Sequence, residues 1–360
     1  MGDFKPGLEG IVAFETEIAE PDRDGGALRY RGVDIEELVG TVAFEKVWGL
    51  LVDGDPEPGL AAADRYDAPD LTGHTPSDLQ MTTARLSAEW GLRQLIDIDD
   101  GQARADLRRL SATMISVAAQ SARVADGHSD RVSAAVVAHG ATTAERFLLE
   151  WRGEADPRAV TAIDTYWICT AEHGLNASTF VARICASTGA DCGAILSSAV
   201  GALSGPLHGG APARVLPMLD GAAAADSVER YVVDLLDRGD RLMGFGHRVY
   251  RAEDPRARLL RGTAKALGSP RFEVAEALEQ AALAELQRRK PDRVLATNVE
   301  FWSAVVLDLA GVPPQLAPAM FACSRTAGWS AHVLEQKRLA RLVRPSARYV
   351  GPAPRPLSSV

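Results

Sequence analysis

The spacing of apolar positions changes once along this chain, near its start. From residue 10 to 31, short apolar runs (Gly10-Ile11-Val12-Ala13-Phe14, then Ala27-Leu28-Arg29-Tyr30-Arg31) alternate with Glu, Asp and Gly, a pattern that predicts β-hairpins. Beyond them the apolar positions recur at helical spacing almost to the end. Ile35, Leu38, Val39, Val42 and Phe44 give a helical face over 34–51. Residues 53–79, rich in Pro, Gly, Asp and Ala, read as a mostly irregular connection. Helical spacing returns over 80–126, with Leu107, Leu110, Met114, Ile115 and Val117 as the buried stripe.

Helix punctuation is clearer in the second half. Asp226-Ser227-Val228-Glu229 resembles a capping box, and Gly239 is a stop. Asp254 is placed as an N-cap and Pro255 as the first helical residue, so Arg256 falls in the first turn and Gly268 ends the helix. A long helix is predicted over 272–289, broken by Pro291, then a short apolar one over 301–310 ended by Gly311, then another over 320–342. The tail after Gly351 is proline-rich and reads as extended. No internal repeat is present. The sum is a mostly α protein with a small β element near its N-terminus. A chain of 360 residues is long for one core, which predicts a large domain and a smaller one.

Composition narrows the function classes. The apolar and charged fractions, 46% and 24%, are those of a soluble globular protein. A formal charge of −9 argues against nucleic acid or an anionic membrane as the main partner, although local arginines can still take an anionic substrate. No apolar run approaches the length of a membrane span, and no charged-then-apolar signal opens the chain. Cys169, Cys185, Cys192 and Cys323 lie in apolar stretches without metal-ligand spacing, and read as buried free thiols in a reducing compartment. The expected location is the cytoplasm.

Three histidines sit among small residues: Glu172-His173-Gly174-Leu175-Asn176, Gly205-Pro206-Leu207-His208-Gly209-Gly210 and Gly244-Phe245-Gly246-His247-Arg248. Imidazole exchanges a proton near neutral pH, and glycine beside it lets a ligand come close to the backbone. His208 falls in a tight turn after a buried apolar run, where it is either a fixed donor or a core histidine satisfied by a carbonyl. His173 precedes a helix starting near Asn176 or Ser178, as a ligand contact or as a structural residue at the helix entry. Met243, Gly244, Phe245 and Gly246 could offer backbone N–H groups to a phosphate or CoA, and Arg251 could join them, though a lone GxG is weak evidence.

Arg248, Arg251, Arg256, Arg258 and Arg261 crowd into 14 residues. Arg256, near a helix N-terminus, suits an anion, while Arg258 and Arg261 read as a solvated face. Glu300, after Asn298, is an N-terminal cap or a base at a pocket edge. Arg325 in a mostly apolar helix needs a partner, either a bound carboxylate or a buried Asp or Glu. A metal site is disfavoured, because HxxxH and HExxH spacings are absent. His74, His128, His139 and His332 read as structural or exposed.

Together these segments resemble the citrate synthase family, in its shorter bacterial and archaeal branch. The likeness starts at Gly7-Leu8-Glu9-Gly10-Ile11-Val12-Ala13 and Tyr30-Arg31-Gly32-Val33-Asp34. It continues through His173 to Phe180, Gly205 to Ala211 and Gly244 to Arg256, and ends in Arg325-Thr326-Ala327-Gly328-Trp329, His332, Arg344-Pro345 and Tyr349-Val350-Gly351. The resemblance implies a two-domain helical fold, with a large domain over 1–214, a small domain over 215–325 and a return to the large domain over 326–360. It implies a homodimer whose cleft closes on the oxo-acid.

The implied reaction is that of the tricarboxylic acid cycle: condensation of acetyl-CoA with oxaloacetate, then hydrolysis of citryl-CoA. No cofactor would be permanently bound, acetyl-CoA and CoA being substrate and product. By this resemblance Glu300 removes the thioester methyl proton, His208 hydrogen-bonds the thioester oxygen, and His247 polarises the ketone and protonates the alkoxide. His173, Arg256 and Arg325 hold the oxo-acid, with Arg344 reaching over from the partner subunit; Met243–Gly246 and Arg251 are the CoA candidates.

Two features depart from the family pattern. Glu300 stands where aspartate is usual, and the added methylene implies a working but slower enzyme. Residues 52–105 lack the expected His-Pro-Met segment, and Asp97-Ile98-Asp99-Asp100 diverges. A 2-methylcitrate synthase using propionyl-CoA is the near alternative, since one methylene in a pocket discriminates modestly. A weakly active or non-catalytic metabolite-sensing relative is the alternative from another class.

Overall fold

A computed structural model describes residues 4–22, 24, 26–209, 214–246, 253–292 and 295–356. Its sheet is small. Strands β1 (Ala19–Asp22), β2 (Ala27–Tyr30) and β3 (Val33–Asp34) pair antiparallel in that order, with Ala19 opposite Tyr30 and Arg29 opposite Asp34. The helices among the described residues are α1 (Ile35–Leu38), α2 (Phe44–Asp53), α3 (Thr75–Glu89), α4 (Asp100–Ala125), α5 (Ala134–Ala138), α6 (Thr143–Arg152), α7 (Pro157–Thr170) and α8 (Ala177–Ser187). They continue with α9 (Cys192–Leu203), α10 (Val215–Ala223), α11 (Val228–Asp237), α12 (Pro255–Ala266), α13 (Phe272–Arg289), α14 (Val299–Leu309) and α15 (Ala317–Leu339).

The core is organised around α15. It is buried around almost its whole circumference, as a central helix must be, and packs on α2, α4, α7, α8 and α9. Helices α3, α8 and α9 form one flank. Helices α12 and α14 pack on each other and on α7, and α10, α11 and α13 gather beyond them. No described helix is long and apolar enough to cross a membrane.

Much of the punctuation acts as read. Ser227 accepts from the Arg230 N–H to cap α11, and Asp254 accepts from the Arg256 N–H to cap α12. Leu107, Leu110, Met114, Ile115 and Val117 are all buried.

Three readings are corrected. The run 10–14 is not a strand: Ile11 and Val12 are exposed, and Phe14 is anchored by its side chain, 6.1 Å from the Phe180 ring and 4.0 Å from the Arg183 guanidinium carbon. The helix expected over 34–51 is two, α1 and α2, separated by a turn in which Gly40 has φ 75°. The helix expected over 80–126 is α3 and α4, parted after Gly91 at φ 60°. In addition, α15 is unbroken from Ala317 to Leu339, so a boundary at 325/326 falls inside a helix.

Helix α2 begins without a cap of its own. Ala43 has no side chain to offer, and the Phe44 N–H instead donates to Asp164 Oδ1 on α7, 2.9 Å away. Burial pushes the Asp164 carboxyl up to about 7, against the lowering effect of that hydrogen bond. Between an unfolded value near 3.8 and about 7, the folded chain therefore binds more protons, and stability falls as pH rises through that window. Asp164→Asn keeps an acceptor and removes the charge. It is expected to raise Tm at pH 8 by about 2–4 °C, with a smaller gain at pH 5, as thermal melts at the two pH values would show.

Candidate active site

Six elements bring their ends or faces to one place. His173 comes from the loop after α7, Asn176 caps α8, and His208 lies in the turn after α9. Arg256 opens α12, Glu300 opens α14, and Arg325 lies midway along α15. With Tyr166, Thr170, Val299, Ser303 and Phe321 these residues line a cavity of about 170 Å³. Five of the residues singled out in the sequence, from segments more than 150 positions apart, thus meet. A larger cavity of about 250 Å³ lies between residues 60–66 and helices α4, α5 and α6, with mostly aliphatic walls and none of those residues. Convergent titratable groups, rather than volume, mark the smaller one as the candidate site.

His208 is held by Ser178. Its Nε2 accepts from the Ser178 backbone N–H at 3.4 Å and lies 2.9 Å from Ser178 Oγ. A backbone N–H only donates, so Nε2 is an acceptor and the ring proton sits on Nδ1. Ser178 is itself fixed, its hydroxyl 2.9 Å from Asn176 Oδ1 and accepting from Trp329 Nε1 at 3.2 Å. Burial, then the Arg325 charge, push the imidazole down to about 4. His208 is therefore a neutral donor through Nδ1 at neutral pH, and its partners are not the carbonyl of a structural histidine.

Glu300 is not a cap. Asn298 takes that position, accepting from the Glu300 N–H at 3.0 Å. The Glu300 carboxylate lines the cavity with no hydrogen bond or ion pair among the described residues. Burial pushes it above the usual carboxylate range, with Arg256 opposing the shift and Asp254 reinforcing it. The helix start is pinned three ways. The Val299 N–H donates to Asp254 Oδ2 at 3.0 Å, the Asn298 N–H to the Gly244 carbonyl at 2.9 Å, and Asn298 Nδ2 to the Gly246 carbonyl at 2.9 Å.

That pairing also engages part of 243–246. The Gly246 N–H donates to the Ala296 carbonyl at 2.8 Å, so that one N–H is taken within the protein. Gly244, at φ 88°, is packed so closely that a Cβ would lie 2.6 Å from Phe301 Cβ, and the Phe245 ring lies 5.3 Å from that of Phe301. Met243, Gly244, Phe245 and Gly246 lie outside the lining of the smaller cavity. His247, Arg248 and Arg251 lie outside the described residues.

The arginines divide. Arg256 is buried and makes a two-pronged pair with Asp254, Nε at 2.9 Å and Nη2 at 2.8 Å, so the carboxylate facing that edge is the protein's own. Arg325, also buried, donates from Nε to the Thr170 carbonyl at 3.0 Å and lies over the Phe321 ring at 4.6 Å. Its Nη1 has no partner, and it makes no ion pair among the described residues. No described Asp or Glu comes within ion-pair distance of it, which leaves Nη1 for a bound carboxylate. Arg258 and Arg261 pair with Glu36, Glu253 and Glu276 at the surface, a solvated face. Arg344 is exposed in the tail after α15 and does not line the cavity.

Sequence reasoning missed Ser178 as the partner of His208 and Asp254 as the partner of Arg256. The Asp254 cap was legible, but its second duty needed the approach of α14. Among the described residues no group of His, Cys, Asp and Glu could hold a metal ion, and all four cysteines are free, with Cys185 half-buried and the others buried.

Residues 7–346 match the family model described as citrate synthase, C-terminal domain. The chain belongs to the citrate synthase family. A Mycobacterium tuberculosis protein named "Putative citrate synthase 2" is 59% identical over 359 residues, 99% of this chain and 96% of that protein. The citrate synthase of Haloferax volcanii is 37% identical over 381 residues, 97% of this chain and 96% of that protein. Among solved structures, the ternary complex of carboxymethyl coenzyme A and oxaloacetate with citrate synthase from the archaeon Thermoplasma acidophilum aligns with TM-score 0.85 at 26% identity, covering 100% of both chains. The citrate synthase of Pyrobaculum aerophilum aligns with TM-score 0.77 at 30% identity, covering 98% of this chain and 95% of that one. This chain therefore belongs to an enzyme family of acyltransferase type, with the helical fold of its relatives.

Proposed function

We propose that the protein condenses acetyl-CoA with oxaloacetate and hydrolyses the resulting citryl thioester to citrate and CoA. The observation that carries this reading is the meeting in one cavity of a neutral donor, an unpaired carboxylate and a buried guanidinium with an open fork, namely His208, Glu300 and Arg325. A cavity of about 170 Å³ seats a small dicarboxylic acid. It is well below the roughly 300 Å³ at which sites for drug-sized ligands begin, so the bulk of CoA lies outside it.

In this reaction Arg325 and His173 hold the oxo-acid, with Arg256 beside them and Arg344 supplied by the partner subunit of a homodimer. Glu300 takes a proton from the thioester methyl, and the His208 Nδ1–H hydrogen-bonds the thioester oxygen as it becomes enol-like. A weakly acidic α-proton leaves only if that charge is stabilised as it forms. The enol carbon then bonds to the ketone carbon of oxaloacetate, and His247 protonates the alkoxide. Water cleaves the thioester last, releasing the CoA thiol. Closure of a small domain containing α10 to α14, with the return at the start of α15, excludes water until the carbon–carbon bond is made.

Thiol release, followed with a thiol-reactive dye, tests this with oxaloacetate and either acetyl-CoA or propionyl-CoA. Faster oxaloacetate-dependent release with acetyl-CoA supports the assignment. Preference for propionyl-CoA moves it to 2-methylcitrate synthesis, and no release with either leaves a metabolite-sensing relative.

A further inference from the structure

Behind the cavity lies a buried carboxylate that the reaction above does not use. Glu172 is fully buried, and neither of its carboxylate oxygens accepts a hydrogen bond among the described residues. Leaving such a group unanswered in the interior is costly, so its retention needs a reason.

The surroundings supply one. His332 Nε2 lies 3.3 Å from Glu172 Oε1. The other ring nitrogen, Nδ1, lies 3.0 Å from Arg183 Nη1, and a guanidinium only donates. Nδ1 therefore accepts from Arg183, and Nε2 is left beside Glu172 without a hydrogen bond among the described residues. Among the described residues, two buried arginines feel its charge, Arg325 on the cavity wall and Arg183. Arg183 has a carboxylate of its own in Glu335. Arg325 has none, and among the charges that favour its ionised form Glu172 comes first.

The backbone is tied into the same contact. Gly328, one turn after Arg325 on α15, has no room for a side chain: a Cβ would lie 1.9 Å from Glu172 Oε2 and 2.7 Å from the Ala171 carbonyl. The Gly328 N–H donates to Ala171 O at 3.2 Å, and Arg325 Nε to Thr170 O at 3.0 Å. Tyr30 holds the segment from the other side, its hydroxyl donating to the Ile168 carbonyl at 2.9 Å and accepting from the Glu172 N–H at 3.3 Å. The next residue is His173, on the cavity wall.

We propose that Glu172 is a positioning residue for the oxo-acid: its buried carboxylate, flanked by His332 and seated on Gly328, is the counter-charge of Arg325 and fixes the segment that presents His173. The assignment rests on the function proposed above. Glu172 lies outside the cavity lining and acts through Arg325 and His173, which hold the oxo-acid in the proposed reaction, so its loss is expected to act on that substrate and not on the thioester.

The test is steady-state thiol release by Glu172→Gln in the full chain, varying each substrate in turn. KM for oxaloacetate is expected to rise about tenfold or more, with KM for acetyl-CoA within about twofold of wild type. Glu172→Asp, which keeps the charge, is expected to recover most of the loss. If Glu172→Gln does not fold, His332→Asn gives the same split in smaller measure, because asparagine is too short to flank the carboxylate. Unchanged constants, or both constants rising together, would overturn the assignment while leaving the reaction intact. A wild-type chain without oxaloacetate-dependent thiol release would overturn the reaction and this assignment with it.

Discussion

Glu300→Gln is expected to lower kcat for thiol release by about 100- to 10,000-fold, the range over which a positioned general base contributes. The substitution keeps the size of the side chain and one acceptor oxygen, replaces the other oxygen with an NH2 donor, and removes the basic carboxylate that takes the methyl proton. The carboxylate has no partner among the described residues, so no hydrogen bond or ion pair to them is lost with it. KM for oxaloacetate should therefore stay near the wild-type value.

Burial holds the Glu300 carboxyl above the ordinary range, and a base must be ionised to work. Activity should fall as pH drops through that raised value, at a higher pH than for an exposed glutamate. Glu300→Asp is the discriminating companion. Sequence alone implied that the extra methylene is a handicap, which predicts a faster aspartate variant. The pinned start of α14 argues otherwise. With Glu300 N bonded to Asn298, Val299 N to Asp254 and Asn298 N to Gly244, the backbone cannot advance to follow a shorter side chain. We expect Glu300→Asp to be slower than wild type and far faster than Glu300→Gln. Equal rates for all three would remove Glu300 from the reaction.

The legibility of this chain follows a physical division. Helices whose limits are set by nearby residues could be read directly: α13 runs from Phe272 to Arg289 as expected, and Ser227, Asp254 and Asn176 cap where their spacing placed them. Breaks set by backbone conformation were harder. Gly40 and Gly91 interrupt apolar patterns that would otherwise run through them. Long-range substitutions for local rules could not be read at all: Asp164 caps α2 from 120 positions away, and the ring of Phe14 is held by Arg183 and Phe180 in place of strand pairing.

The site shows the same split. Small-residue settings pointed to His173 and His208, and an arginine in an apolar helix pointed to Arg325. The Ser178 contact that fixes the His208 tautomer exists only once α8 and the turn after α9 have met. The pairing of 244–246 with 296–298, through the Gly246 N–H and the Gly244 and Gly246 carbonyls, likewise appears only once the two segments have met.

His208→Ala is expected to cost about 100- to 1,000-fold in kcat, the loss seen when one donor to a developing oxyanion is removed. The argument depends on the protonation state. With Nε2 committed to the Ser178 N–H, the imidazole offers one proton, on Nδ1, and offers it as a neutral group. A neutral donor stabilises an enol-like oxygen without giving the thioester a full proton, which keeps the nucleophilic carbon reactive.

The depressed value of about 4 has a second consequence that can be measured without substrate. Unfolded, His208 takes up a proton near its ordinary 6.5; folded, it does so only near 4. Between those values the unfolded chain binds more protons. The contribution of His208 to stability is therefore fully present above 6.5 and is lost as pH falls toward 4. In thermal melts from pH 7.5 to 4.5, His208→Ala should lose less Tm on acidification than wild type does. A variant that loses activity but keeps the wild-type slope would place the catalytic donor at His208 and its proton uptake elsewhere. A variant that keeps full activity would remove His208 from the chemistry.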